Sequence, residues 1–302
     1  MKGLLAQIGF FVSYGLVLLI SLLPLQVHYL LARVFVTGPL RLMGYRRSVI
    51  LTNLARSFPE KSYGEIHQIA KDFYRHMGDL VAETLWLFTA TKKQQLRHFV
   101  FPDSPFLEEA YQQGRTVLFI LGHFGNWEFT QNGGASPTGK YGSYPLENVC
   151  IAYQKQSSPV MDKIMLSLRT RNKTGFHVIE KQHFVRYALS HRNQPSMYCL
   201  IADQCPLPGA KYTAHFLNQP TLMVDGPETL ARKLNCMVVY ACLQPQKRGT
   251  YLVKIEPICT TPSECPDGAI TQRFATLLEE DIRQNPAQWL WSHKRWKRRP
   301  KM

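Results

Sequence analysis

His123 and Glu128 are the two side chains whose types and spacing best suit catalysis. His123 follows residues 116–121, a short apolar run rich in strand-forming residues, so it is expected in the turn after a buried strand. Glu128 comes five positions later, at the start of a short helix that Asn126 would cap. Glycines in the turn would let the carboxylate fold back onto the imidazole. A carboxylate in that place fixes the tautomer and stabilises the imidazolium, so the pair predicts a general base for a hydroxyl group.

The His-x4-Glu spacing is a weak pattern by itself. An ordinary histidine at a strand end, followed by a glutamate that the helix dipole favours, is the simpler interpretation of these two residues alone. The chain contains no G-x-S-x-G, no H-E-x-x-H and no P-loop sequence, which disfavours the hydrolases and phosphatases that use them. The choice therefore depends on the rest of the chain.

Strands and helices alternate through the body of the sequence. Apolar runs predict strands at 116–121, 148–153, 177–180, 196–202, 237–243 and 252–258. Helical periodicity or capping predicts helices at 59–87, 159–171, 226–234 and 270–284. This order indicates the α/β class, with one catalytic domain built on a mostly parallel or mixed central sheet flanked by helices.

The N-terminus has the composition of a membrane element. Residues 4–32 contain no Asp, Glu, Lys or Arg, and residues 4–23 are long enough to cross the hydrocarbon layer as a helix. This predicts an anchor at 1–35 and one catalytic domain at 36–302. A cleaved signal peptide is disfavoured because no convincing cleavage site follows. Arginines after the segment place the body in the cytoplasm, although Pro24 would also permit a shallow insertion into one leaflet.

The net charge is +15, and the sequence pI is about 9.6. Such a surface attracts anionic lipid, nucleic acid or an acidic protein. Residues 289–301 hold three tryptophans among six Lys and Arg residues, which favours a membrane–water interface. Single-stranded nucleic acid would suit the same composition, but the N-terminal anchor favours membrane over nucleic acid. Seven cysteines with no C-x-x-C pair indicate buried free thiols in a reducing compartment.

Several further motifs recur in order along the chain. They are Arg47 with Asn53-Leu54 and Phe58-Pro59-Glu60; His123 with Glu128; Asp203-Gln204; Phe216 with Thr221, Gly226-Pro227 and Leu230-Ala231; and Trp291-Ser292-His293-Lys294-Arg295-Trp296-Lys297-Arg298-Arg299-Pro300. Together they resemble the late acyltransferases of lipid A biosynthesis, the lauroyl and myristoyl transferases. That family lies within the wider H-x4-D/E group of glycerolipid acyltransferases.

The resemblance implies an O-acyltransferase of lipopolysaccharide biosynthesis at the inner membrane, with its catalytic domain facing the cytoplasm. A fatty acyl chain would pass from a thioester, usually on acyl carrier protein, directly to a hydroxyl of a lipid A precursor. His123 and Glu128 would be catalytic, and no metal or organic cofactor is expected. Coenzyme A remains open as the donor form, and the acyl chain length is open too.

The resemblance also implies substrate-binding residues. Arg169 and Arg171 lie where the family carries a functional arginine, and Arg169 is favoured for binding phosphate or stabilising an oxyanion. Asp203 would brace that arginine or cap the next turn, and Gln204 completes the Asp-Gln block.

Two alternatives stay open. The prolines in the loop at 205–211 depart from the commonest members, so the acceptor could instead be a lysophospholipid, an amino-acid-linked lipid or a glycolipid. A different class is a non-catalytic basic protein that tethers nucleic acid or an acidic partner to the membrane.

Overall fold

The computed structural model describes residues 2–131, 138–171 and 175–300. The helices in these ranges are α1 (Lys2–Ser21), α2 (Leu25–Ala32), α3 (Gly38–Leu42), α4 (Arg47–Ser57), α5 (Tyr63–Leu87), α6 (Lys92–Gln95), α7 (Pro105–Gln112), α8 (Glu128–Gln131), α9 (Pro159–Thr170), α10 (Lys181–Ser190), α11 (Gly226–Leu234) and α12 (Ala269–Gln284). The strands are β1 (Phe99–Val100), β2 (Val117–Leu121), β3 (Lys140–Tyr141), β4 (Tyr144–Pro145), β5 (Val149–Tyr153), β6 (His177–Glu180), β7 (Met197–Ile201), β8 (Thr213–Phe216), β9 (Gln219–Leu222), β10 (Met237–Lys247) and β11 (Thr250–Cys259).

β2 is the central strand of a seven-stranded mixed sheet. The strand order is β1-β11-β10-β2-β7-β5-β6, and all neighbours run parallel except β10 and β11. Every residue of β2 is buried, as its continuous apolar sequence predicts for a strand covered on both faces. The predicted α/β class, with a mixed sheet flanked by helices, is confirmed.

Helices cover both faces of this sheet. Alternate side chains of β2 point to opposite faces, so Leu118 and Ile120 belong to one buried cluster while Phe119 and Leu121 belong to the other. α4, α11 and α12 contribute to the first cluster, and α2, α7 and α9 contribute to the second. The long helix α5 contributes to both, which ties the two layers together.

The N-terminal helices pack against the rest of the chain. α1 lies on α9 and α5, where the ring of Tyr14 meets that of Phe88 at 6.3 Å. α2 and the π-helical turn Arg33–Thr37 lie on α5. They approach it closely at Gly78, where any side chain would collide with Thr37. The expected N-terminal helix is therefore present, and one of its faces is part of the fold.

The N-terminal segment bends at Pro24. Within the part of the chain that the structure describes, no single helix combines the length and hydropathy of a membrane span. The segments Gly9–Ser21 and Leu25–Leu42 reach them only as a pair, and the angle between the two is 117°.

The C-terminal tail differs from the prediction made for it. Trp289, Trp291, Trp296 and Arg295 are all buried, so the proposed lipid-facing role of this tail is wrong. The indole N–H of Trp296 donates to Thr221 Oγ1 at 2.8 Å, and that of Trp291 donates to a backbone carbonyl. A tryptophan with a partner for its N–H can be buried, and composition alone does not distinguish a buried tail from an interfacial one.

The cysteines differ from the prediction at one pair. Cys259, at the end of β11, forms a disulfide with Cys265. The loop between them turns back on itself, because the Glu264 N–H donates to the Thr261 carbonyl. The other five cysteines are free: Cys150, Cys199, Cys205, Cys236 and Cys242. The expectation of free thiols throughout is therefore wrong for this pair.

Candidate active site

His123 and Asp203 meet at the carboxyl ends of β2 and β7. Each residue lies two positions beyond its strand, and the last residues of the strands, Leu121 and Ile201, are paired in register. The imidazole Nδ1 is 2.6 Å from Asp203 Oδ1, and the backbone N–H of His123 donates to Asp203 Oδ2 at 2.7 Å. Parallel neighbours end at the same edge of a sheet, so this contact follows from the topology.

Asp203 is almost fully buried and accepts a further hydrogen bond from the indole Nε1 of Trp289, at 2.7 Å. Burial by itself raises the pKa of Asp203. The charge of His123 and the hydrogen bonds from His123 and Trp289 outweigh burial and hold the pKa below its ordinary value. Asp203 is therefore an ionised carboxylate at neutral pH. The expectation that it braces Arg169 is wrong, because its oxygens are used by His123 and Trp289.

The Nε2 atom of His123 is the one positioned to accept a proton. Because Nδ1 faces a carboxylate, Nδ1 carries the ring proton and Nε2 keeps its lone pair. The amide nitrogen of Gln204 lies 3.2 Å from Nε2, and the Trp127 ring lies edge-on to the imidazole at 4.8 Å.

Glu128 pairs with Arg169 and not with His123. Arg169 Nη2 donates to Glu128 Oε1 at 2.7 Å and Arg169 Nε donates to Oε2 at 3.2 Å, and both side chains are buried. The predicted contact of Glu128 with the imidazole is therefore wrong. The reason is that α8 begins at Glu128 and lies beside α9, whose last turn presents Arg169. The carboxylate that His123 contacts is instead that of Asp203, which follows the neighbouring strand β7.

Arg171 has a structural setting. Its guanidinium donates to the carbonyl oxygens of Leu87 and Ala90, at the end of α5. These are carbonyls that a helix end leaves without partners inside the helix. The structure thus brings His123, Glu128, Arg169, Asp203 and Gln204 to the same end of the sheet, and it uses Arg171 to hold α5 against the end of α9.

The turn between β2 and α8 is tightly fixed. Gly125 has a φ of +61°, and a Cβ there would come 2.5 Å from the Leu243 carbonyl oxygen, so both backbone shape and space require glycine. Its N–H donates to the Gln288 carbonyl at 3.1 Å. The Asn126 side chain accepts from the Glu128 N–H at 3.1 Å, so the predicted capping by Asn126 is confirmed.

Trp289 is the residue of this site that the sequence reasoning missed. Its only signal was a place in a tail rich in tryptophan and cations, which pointed towards lipid. Phe124 and Trp289 also form an isolated antiparallel bridge, so the tail is attached to the turn through backbone as well as side chain.

Other places for a ligand or a metal are less informative. Among the described residues, no group of three or more His, Cys, Asp or Glu side chains is arranged to hold a metal ion. An open cleft of about 480 Å³ lies beside β6, where Tyr153, His183 and Arg186 contribute to its lining. None of the predicted site residues lines that cleft.

His123 therefore lies at the carboxyl end of a buried strand of a mixed α/β sheet, with Asp203 on its Nδ1 atom. A sequence model of the family described as bacterial lipid A biosynthesis acyltransferase matches residues 3–298. The lipid A biosynthesis lauroyltransferase of Escherichia coli (strain K12) is 23% identical over 290 residues, which cover 95% of this chain and 90% of that protein. The chain belongs to the bacterial lipid A biosynthesis acyltransferase family and is an O-acyltransferase.

Proposed function

We propose that His123 is the general base that activates a lipid hydroxyl for direct attack on an acyl thioester. The observation that carries this proposal is the bond from Nδ1 to Asp203, which leaves Nε2 to take the proton. The hydroxyl oxygen forms a bond to the carbonyl carbon, and the carbon–sulfur bond then breaks. The proton moves from the hydroxyl to Nε2 and from there to the departing sulfur. Asp203 stabilises the imidazolium that exists between these two transfers.

In this proposal Glu128 and Arg169 belong to the site, but their pairing maintains its structure and takes no part in the proton transfer. A permanently charged guanidinium neutralises Glu128, and their two hydrogen bonds hold α8 against α9 beside the reacting atoms. The tetrahedral intermediate needs donors fixed in advance. The candidates are the N–H groups of Arg169 that do not bind Glu128 and the turn N–H groups other than those of His123, Gly125 and Glu128, which already have acceptors.

The proposed substrates follow from the family and from charge. Members make lipid A, and the similar protein of Escherichia coli is named a lauroyltransferase, so the proposed acceptor is a lipid A precursor. The proposed donor is acyl carrier protein, an acidic partner suited to a chain of net charge +15. Gln204, next to Nε2, is proposed to contact the incoming hydroxyl.

The proposed location is the cytoplasmic face of the inner membrane, with the N-terminal helices inserted into one leaflet. Both helices pack on the body through one face, and their outer faces are strongly exposed at Phe11, Leu16, Leu30 and Phe35. Arginines at 33, 41, 46 and 47 lie close along the chain and would meet anionic headgroups. α1 also lies on α9, which carries Arg169, so the site would open near the lipid surface.

The central test is transfer by purified protein, with acyl carrier thioesters of several chain lengths. Lipid A precursors and lysophospholipids are offered side by side. His123→Ala should lower the rate by on the order of 10²- to 10⁴-fold, because the general base is lost. His215→Ala, at an exposed histidine of β8, is the matched control and should keep normal transfer.

The outcomes of this test separate the candidate functions. Transfer to lysophospholipid alone would reject a lipid A precursor as the acceptor and would leave the proposed mechanism unchanged. Near-normal transfer by His123→Ala would reject His123 as the general base. A wild-type protein that transfers to neither acceptor would point to another lipid hydroxyl as the acceptor, because the family assignment rules against the non-catalytic tether.

The membrane proposal is tested on the exposed apolar side chains. Leu16→Ser combined with Phe35→Ser should weaken binding to vesicles of anionic phospholipid, because both substitutions remove apolar surface that the lipid would bury. Leu207→Ser, at an equally exposed leucine in the loop after β7, is the control and should leave binding unchanged. Equal binding by all three proteins would reject this surface. A cysteine at Gln7 that reacts with an impermeant thiol reagent outside intact cells would show a spanning helix instead.

A further inference from the structure

Glu83 is a carboxyl group in α5 that is fully buried and receives three hydrogen bonds. The hydroxyl of Tyr29 donates to Oε1, and the Tyr251 hydroxyl and the Asn126 amide both donate to Oε2, each at 2.9 Å. The three donors come from α2, from β11 and from the turn before α8. Within the described residues Glu83 has no ion-pair partner, so these neutral donors alone hold its charge.

One of the three contacts leads to the active site. The Asn126 side chain, itself fully buried, donates to Glu83 and accepts from the Glu128 N–H. Asn126 thus has both ends of its amide fixed. The turn that it holds begins at His123 and ends where Glu128 meets Arg169.

Another contact leads to the N-terminal helices. Tyr29 belongs to α2, whose next residue, Leu30, is among the exposed apolar side chains. The Tyr29 ring is covered by the guanidinium of Arg248 at 3.8 Å, and Arg248 in turn pairs with Asp79 on α5. A side chain at position 249 would collide with the Tyr29 hydroxyl, so Gly249 makes room for this contact.

We propose that Glu83 is a positioning residue that couples the seating of α2 on α5 to the geometry of the His123 turn. When α2 is seated, Tyr29 completes the set of donors around Glu83, and Glu83 then holds Asn126 in the orientation that caps the turn. When α2 is lifted or loosened, Glu83 loses a donor and Asn126 is less firmly held. This inference rests on the proposed function, because it assigns α2 to the membrane-facing surface and His123 to the chemistry.

The protonation of Glu83 adds a pH signature. Burial raises its pKa to about 7, Asp79 adds to that, and the hydrogen bonds from Asn126, Tyr29 and Tyr251 act in the opposite direction. The charged and titratable groups around it are Asp79, Arg248, Tyr29 and Tyr251. Because the folded pKa lies above the ordinary value of 4.5, the contribution of Glu83 to stability is complete below pH 4.5. It is lost as pH rises through about 7. Positioning has the opposite pH dependence, because only the ionised carboxylate accepts all three hydrogen bonds, whereas a proton on Oε1 would have to be donated to the Tyr29 hydroxyl.

The test compares two tyrosine hydroxyls, one on α2 and one on α5. Tyr29→Phe removes the bond to Glu83, whereas Tyr74→Phe, the control, removes a 2.8 Å bond to the Tyr45 carbonyl. Both variants should lose similar stability. Only Tyr29→Phe should speed amide hydrogen exchange in residues 122–128 of the full-length protein. It should also lower kcat about 3- to 10-fold while leaving KM for the donor unchanged, the size expected for one hydrogen bond.

Glu83→Gln completes the test. It should lower kcat about 3- to 10-fold, as Tyr29→Phe does, because the amide oxygen still accepts from Asn126 and Tyr251 but the amide nitrogen cannot accept from Tyr29. Tyr29→Phe added to it should lower kcat little further, since both act through one contact. If exchange in the turn is the same in Tyr29→Phe and Tyr74→Phe, the coupling is rejected. The exchange result does not depend on activity, so a failure of the proposed function would leave it readable.

Discussion

Asp203 and Glu128 are two buried carboxylates at the same end of one sheet. Their partners differ in whether the positive charge is transient or permanent. Asp203 faces a histidine, whose charge appears only when a proton arrives. Glu128 faces an arginine, whose charge is permanent. A carboxylate can stabilise a transient imidazolium only if its own charge is not already neutralised. Asp203 therefore suits a chemical role and Glu128 a structural one, although their exposure is similar.

The contrast shows how a sequence motif can predict a contact that the fold does not make. The His-x4-Glu spacing places both residues in one turn, so local reasoning joins them. The structure joins His123 instead to a residue 80 positions away, because β2 and β7 are neighbours in the sheet. The partner of the histidine was therefore set by strand order.

The largest effect is expected when the contact between His123 and Asp203 is disrupted. Asp203→Asn removes the charge that stabilises the imidazolium and disturbs the tautomer, so kcat should fall by on the order of 10²- to 10⁴-fold. Asp281→Asn is the matched control, because Asp281 is an equally buried carboxylate that binds Tyr240 and Lys254 away from the site. It should lose stability without a comparable loss of kcat per folded molecule. Equal kcat losses in the two variants would remove the distinction.

The next effect tests the Glu128 side. Glu128→Gln or Arg169→Gln alone should lower the free energy of unfolding by roughly 3–5 kcal/mol, because each leaves a buried charge without its partner. The double variant should regain a large part of that loss in denaturant unfolding. If Glu128 were the partner of His123, Glu128→Gln would instead keep its stability and be severely impaired in transfer, although less than His123→Ala. That result would show that Glu128 acts together with His123 and would contradict its structural pairing with Arg169.

Much of the fold was predictable because the signals for it were local. The apolar run of β2 and the helical period of α5 each carry their own pattern, and the structure places both close to the predicted limits. The strand order was not predictable, since nothing within β2 says whether β5 or β7 lies beside it. The contact between His123 and Asp203 depends on that order.

The tail shows a second limit. Trp289, Trp291 and Arg295 have the composition of a lipid-facing segment, yet the structure buries them. Arg295 reaches the Leu222 carbonyl at 2.8 Å, and burial lowers its pKa to about 10. Whether a segment of this composition faces lipid or the interior depends on space elsewhere in the fold, which composition does not record.

The smallest expected effect concerns the thiols, because the proposed direct attack through His123 gives them no role. A thiolate is the nucleophilic form, and burial raises the pKa of Cys150 to about 11 and that of Cys236 to about 12, so both stay protonated. Cys205 is the free thiol that needs a test, since it is half-buried and follows Gln204 directly. Its sulfur lies 3.5 Å from Arg298 Nη1.

Cys205→Ala should keep transfer within about twofold of wild type, since surface or half-buried changes away from the reacting atoms usually have small effects. Quenching the reaction with acid and analysing the intact protein should show no acyl group bound to it. Cys205→Ser is the second control, because it keeps the size of the side chain. A stalled reaction in both variants with normal folding, or an acylated Cys205 in the wild type, would show a covalent route. His123 would then serve to activate the thiol, and the comparison of Asp203 with Glu128 would need a different explanation.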